Sequence, residues 1–152
     1  MSSNPENAAQ FAFTFAKVQV IFEMDFINTK GKGYSSKFQQ ITRHLAKFLI
    51  KAGKPMHGIN MIARAIRVLR TSNEQVSSLN TQYALLCLHS RCFQHALALI
   101  DHPITSVMHG TNPIEIITYN YYRGVIYVGL ERYTDAIECF GEVLSLPTSI
   151  AH

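Results

Sequence analysis

Cys87, His89, Cys92 and His95 are the side chains best suited by type to do chemistry, and they fall within nine residues of one another. Thiolate and imidazole together suit zinc, and a cysteine beside a histidine can act as nucleophile and base. Cys87, however, stands at a position whose spacing predicts burial. The turn from Ser90 to Cys92 sends the flanking helices in opposite directions, which favours a buried cysteine with surface histidines over a metal centre. A nucleophile would also need an oxyanion hole and a cleft, and no residue points to either. The other histidines, His44, His57, His102, His109 and His152, form no H-E-x-x-H or His-x-His pair. Gly31-x-Gly33 is too short for a phosphate-binding loop and follows no strand. No catalytic, metal or cofactor residue is assigned; a non-enzyme without a cofactor is expected.

Charge is more informative. Between Asp25 and Glu74 there is no acid, yet there are ten bases: Lys30, Lys32, Lys37, Arg43, Lys47, Lys51, Lys54, Arg64, Arg67 and Arg70. From Asp101 onward the sign reverses, with Asp101, Glu115, Glu131, Asp135, Glu138 and Glu142 against Arg123 and Arg132. Lys47, Lys51 and Lys54 stack on one helix, Arg64 and Arg67 on the next, and Arg70 follows. These six form a candidate partner surface. A solvated helix face, an acidic protein partner and a polyanion all fit such a run. No aromatic residues interleave with the bases as a stacking platform, so nucleic acid is the least favoured of the three.

The elements that must position these residues are helical. Phe11, Phe15, Val18, Phe22 and Phe26 recur at three- and four-residue steps from about Ala8, after a disordered stretch over 1–7. Lys30-Gly31-Lys32-Gly33 reads as a turn. Further helices are predicted over about Ser35–Ala52, Met56–Leu69, Gln75–His89, Phe93–Ile100, Asn112–Val128 and Tyr133–Ser145. Asp101 to Asn112 is less regular. Asn112-Pro113-Ile114-Glu115 is a strong helix start, combining a capping side chain with a proline that has no amide hydrogen to waste. No segment alternates convincingly with period two, so the expected class is all-α.

Internal periodicity organises these helices. With the turns Gly53-Lys54-Pro55, Ser90-Arg91-Cys92-Phe93 and Leu130-Glu131-Arg132-Tyr133 aligned, Gly58, Ala96 and Ala136 fall at one register, about 40 residues apart. Ile62, Ile100 and Phe140 follow four residues later. Upstream stand Ala46, Ala84 and Gly124, and three residues beyond them Leu49, Cys87 and Tyr127. Antiparallel helices joined by a short turn need small residues where they cross and large ones beside the crossing. A single pair cannot bury its apolar face, whereas stacked pairs can. Gly124, Tyr127, Tyr133, Ala136 and Phe140 match the tetratricopeptide spacing, with Phe93 at the equivalent of Tyr133. The expectation is a right-handed, tetratricopeptide-like solenoid over 8–152, about three helix pairs behind one leading helix. Among Tyr119, Tyr121, Tyr122, Tyr127 and Tyr133, helix spacing makes Tyr121 the best candidate for exposure. The last helix ends apolar, with Tyr133, Ile137, Phe140, Val143 and Leu144, so a fragment or short isoform lacking its covering helix is expected, or a partner on that face.

Tyr121-Tyr122-Arg123-Gly124-Val125-Ile126-Tyr127-Val128-Gly129-Leu130-Glu131-Arg132-Tyr133 resembles the tyrosine-rich repeat of the family of the third subunit of the COP-nine signalosome. Lys54-Pro55-Met56-His57-Gly58-Ile59, Leu86-Cys87-Leu88, Arg91-Cys92-Phe93 with Ala96-Leu97, the closing Leu146-Pro147-Thr148 and Phe15-Ala16-Lys17-Val18-Gln19 are similar to that family too. The resemblance implies helical repeats that a PCI domain and C-terminal helices follow in the family; these 152 residues hold no counterpart of either. It also implies a scaffold in a complex that removes the ubiquitin-like modifier Nedd from cullin ubiquitin ligases, with catalysis in another, zinc metalloprotease subunit. The partners it implies are the other signalosome subunits. A related PCI-type complex (the proteasome lid or a translation initiation factor) and a freestanding basic repeat module for a polyanion remain alternatives.

Composition agrees with this class. Hydrophobic residues make up 47% of the chain and charged residues 16%, too apolar for a disordered chain, and the net charge is +4. Three cysteines are too few for a disulfide framework. Phe11 to Phe22 is interrupted by Lys17 and Gln19 and is too short to span a bilayer, and the start shows no signal-peptide pattern. A cytoplasmic and nuclear location is expected, with no membrane and no small-molecule substrate.

Overall fold

The computed structural model describes residues 5–32 and 36–145. Their order is α1 (Pro5–Lys32), α2 (Ser36–Lys51), a 3-10 turn (Pro55–Gly58), α3 (Ile59–Leu69), β1 (Gln75–Val76), α4 (Ser78–Ser90), α5 (Phe93–Ile100), β2 (Ser106–Val107), α6 (Pro113–Gly129) and α7 (Tyr133–Leu144). The all-α helical-repeat class holds. Helix α2 packs beside α4 and α4 beside α6, each followed by its shorter partner helix, while α1 packs on α2. Helix α4 lies in the middle. Leu79, Asn80, Thr81, Gln82, Tyr83, Ala84, Leu86 and Cys87 are all buried along it, as a helix without a polar face must be.

The turns repeat at the backbone level. In each, a residue two or three past the helix donates to a carbonyl five residues back: Lys54 to Leu49 (2.9 Å), Cys92 to Cys87 (3.0 Å) and Arg132 to Tyr127 (2.8 Å). The residue before it donates to a carbonyl three back: Gly53 to Ile50, Arg91 to Leu88 and Glu131 to Val128. Those residues take left-handed φ values of 73°, 56° and 60°. This is the Schellman ending, which satisfies the last carbonyls of a helix and reverses the chain. Only the first copy uses glycine, for which the left-handed conformation carries no Cβ penalty.

Four boundaries differ from the sequence reading. Residues 1–4 lie outside the described part, but Pro5 to Asn7 belong to α1 rather than to a disordered stretch over 1–7. Proline suits the first helical position and Glu6 suits the positive helix N-terminus. Helix α1 also runs through the expected turn to Lys32, while Gly33 lies outside the described residues. The stretch expected to open the third helix begins as a 3-10 turn at Pro55. Helix α4 starts at Ser78 rather than Gln75, because Gln75 and Val76 pair in parallel with Ser106 and Val107. Ser77 then closes a capping box: its Oγ accepts from Leu79 N (3.2 Å), and Ser77 N donates to Asn80 Oδ1 (3.0 Å). Leu146-Pro147-Thr148 falls outside the described residues.

Candidate interaction surfaces

The interior is built where the small residues fall. Ala46, Leu49, Ile62, Ala84, Cys87, Ala96, Ile100, Tyr127 and Ala136 are buried, as are Gly58 and Gly124. A Cβ on Gly58 would lie 2.6 Å from Leu49 Cδ1, and one on Gly124 would lie within 2.8 Å of three Phe140 ring atoms. Phe93 and Phe140 are half-buried. Tyr133 is 58% exposed, unlike the other repeat positions.

The last unit is held by a polar network, buried at Arg123 and open to solvent at Arg132. Arg123 Nε donates to Ile100 O (3.2 Å), Nη1 to Asn120 Oδ1 (2.9 Å) and Nη2 to His102 O (3.0 Å). Its charge therefore sits at the carbonyl end of α5, the negative end of the helix dipole. Tyr127 Oη donates to Ile100 O and to Asp101 Oδ1. Arg132 reaches both Asp101 oxygens at 2.9 Å and Asp135 at 2.8 Å. The Arg132 hydrogen bonds hold the Asp101 carboxyl below its ordinary value, and burial pushes the Tyr127 phenol up to about 12. A groove of about 350 Å³ opens beside this network, with Asp135, Glu138 and Glu142 of α7 facing His102 and Arg123.

The cysteine–histidine cluster does not converge on a ligand. Cys87 is buried and its thiol is pushed up to about 12 by that burial, whereas His89 and His95 are exposed. A thiol held protonated is neither nucleophile nor metal ligand at neutral pH. Among the described residues no group of three metal-ligating side chains is placed to hold an ion. His57 has a packing role, edge-on to Phe11 and Phe15.

The basic run splits in two. Lys47, Lys51 and Arg67 are exposed and form no ion pair among the described residues. Lys54 is half-buried, with its ammonium 5.2 Å from the Phe11 ring centroid. Arg64 pairs with Glu23 and lies over Phe26. Arg70 is half-buried, its pKa lowered by burial and then by Arg67. The acids missing from the segment come from outside it. Asp25 pairs with Lys37 (3.8 Å), and Glu115 accepts from Arg43 Nε (2.9 Å), joining α2 to α6.

Two apolar surfaces complete the picture. On α7, Tyr133, Ile137 and Leu144 are exposed, beside Ile114, Tyr121 and Val128 of α6, and Tyr121 touches Phe140 across the helix pair. The second surface was missed in the sequence reading. Helix α1 buries Phe22 and Phe26 but leaves Phe13, Val20, Ile21, Met24 and Ile27 more than half exposed on its opposite side. Its signal, apolar residues stepping by seven, four and three from Phe13, was hidden by the stronger phenylalanine stripe on the inner face.

A sequence model of the family described as COP9 signalosome complex subunit 3, N-terminal helical repeats, matches residues 1–152. The chain is 26% identical over 126 residues to COP9 signalosome complex subunit 3 of Arabidopsis thaliana, covering 80% of this chain and 29% of that protein. It is 28% identical over 120 residues to the Dictyostelium discoideum protein of the same name, covering 75% and 28% respectively. The chain thus spans less than a third of the length of these relatives. No solved structure matches it.

Proposed function

Because the chain belongs to the family of the N-terminal helical repeats of COP9 signalosome complex subunit 3, we propose that it is a non-catalytic scaffold segment of the signalosome. In this reading it forms a right-handed solenoid and presents its outer faces to other subunits, in the cytoplasm and nucleus. Through that complex it serves deneddylation of cullin ubiquitin ligases. The observation that carries the reading is the family match across the whole of 1–152. Contiguous apolar side chains exposed on α1 and on α6–α7 support it, since surfaces of this kind mark places where another chain docks.

The test is an affinity pulldown of the tagged chain from its own cells, washed at moderate salt and read by mass spectrometry. Recovery of signalosome subunits is expected. Recovery of proteasome-lid subunits would move the function to a related PCI-type complex. Salt-sensitive recovery of nucleic-acid-binding proteins would move it to polyanion binding. Chaperones alone would show that these residues carry no assembly surface.

A further inference from the structure

Phe13, Lys17, Val20, Met24 and Ile27 step along α1 by four, three, four and three residues. That is the seam of a two-stranded coiled coil, with Lys17 at one core position. All five side chains are exposed, with the four apolar ones between 56% and 66% accessible, and Ile21 widens the stripe. The seam is about 21 Å long at 1.5 Å per residue. The inner face of the same helix is already occupied, with Phe22 and Phe26 packed on Phe38, and Phe11 on Phe48.

We propose that this seam docks a helix of another protein that carries an apolar heptad stripe with one carboxylate facing Lys17. The charge pattern selects that occupant. Within the seam Lys17 is the sole ionised side chain, and its ammonium rests 4.4 Å from the Phe13 ring centroid with no carboxylate partner among the described residues. Glu23, which flanks the seam six residues beyond Lys17, is engaged by Arg64. A second copy of this chain fits poorly. Parallel in-register docking sets Lys17 against Lys17, and antiparallel docking about Val20 sets it against Met24. Either leaves a buried charge without a partner, which is strongly unfavourable. A single lysine at a core position instead fixes register and partner choice when an acid meets it. The inference deepens the scaffold reading and rests on it for the expectation that the occupant is a protein.

The experiment uses the purified chain and three synthetic 21-residue helical peptides with a leucine seam, whose central core position is Glu, Leu or Lys. Binding is followed by fluorescence anisotropy. The Glu peptide is expected to bind at least about tenfold tighter than the Lys peptide. Lys17→Glu should invert that order, and Lys17→Leu should make the Leu peptide the best ligand. Met24→Glu, at an exposed position and with helicity unchanged, should abolish binding of all three. Equal binding of the peptides, no binding, or a dimer of the chain alone that Val20→Asp dissolves would each overturn the proposal. A chain that recovers signalosome subunits yet ignores the Glu peptide loses the seam alone. A chain that prefers the Glu peptide yet recovers no such subunits loses the scaffold reading alone.

Discussion

The two ends of this molecule turn the chain with the same backbone device and fill the space between helices with opposite chemistry. At the first end, α1, α2 and the turn before α3 are joined by rings: Phe22, Phe26 and Phe38 in one cluster, and Phe11, Phe15, Phe48 and His57 in another. At the last end, Arg123, Tyr127, Asp101 and Arg132 hold α5, α6 and α7 together through hydrogen bonds and charge. Ring packing is non-directional and tolerates sequence drift at similar volume. The polar network has fixed donor and acceptor positions and loses heavily when one member goes. A repeat can therefore be kept in its backbone while its interior is rewritten.

Removing a ring from the first end should give the largest effect. Phe22 is wholly buried, and Phe22→Ala should cost about 4 kcal/mol in urea unfolding, from lost burial and the cavity left behind. That loss should be independent of pH and salt. Arg123→Met comes next, at about 3 kcal/mol, because it takes the donor from the His102 carbonyl and from Asn120 Oδ1 and leaves the Ile100 carbonyl with Tyr127 Oη alone. The comparison breaks if Arg123→Met costs under 1 kcal/mol by the same measurement, since the network would then contribute little beyond the methylenes that Met retains.

These two residues also mark what sequence can and cannot reveal. Phe22 was legible because burial imposes a period on the chain. The crossing residues Gly58, Ala96 and Ala136 were legible because close helix approach restricts side-chain size. Arg123 read only as a base within a tyrosine-rich segment. Its role depends on where α5 ends, and Ile100 lies 23 residues away in sequence. The sheet pair was invisible because two-residue strands leave no period to detect. The basic run shows the converse failure: a charge map along the sequence misses Glu23 and Glu115, which reach Arg64 and Arg43 from helices outside the run.

Acid should separate the two ends further. The Arg132 hydrogen bonds depress the folded pKa of Asp101 below 3.8, its ordinary value. A depressed carboxyl contributes stability that is present above the ordinary value and lost as pH falls through the folded one. The last unit should therefore weaken below about pH 4, as the carboxylate takes up its proton. Asp101→Asn should cost about 1 kcal/mol at pH 7, as expected for a half-exposed bidentate pair, and should flatten the acid limb of a thermal melt. If Asp101→Asn leaves that limb unchanged, another carboxylate governs it and the last unit is not the acid-sensitive end.

The smallest effect tests what the two ends share. Gly53, Arg91 and Glu131 occupy the same left-handed position in three successive turns, so substitutions there should have opposite signs in different copies. Gly53→Ala should destabilise by about 1 kcal/mol, since alanine meets the Cβ penalty that glycine avoids. Glu131→Gly and Arg91→Gly should each stabilise by roughly 0.5 kcal/mol, the relief of that penalty being partly offset by the greater freedom of glycine in the unfolded chain. Nothing within 4 Å would crowd a Cβ at Gly53, so its loss would report backbone strain alone. Urea midpoints for the three variants read the signs directly. Destabilisation by Glu131→Gly together with stabilisation by Arg91→Gly would mean that the last turn is held by its side chain, and the backbone repeat would stop one unit earlier than its hydrogen bonds indicate.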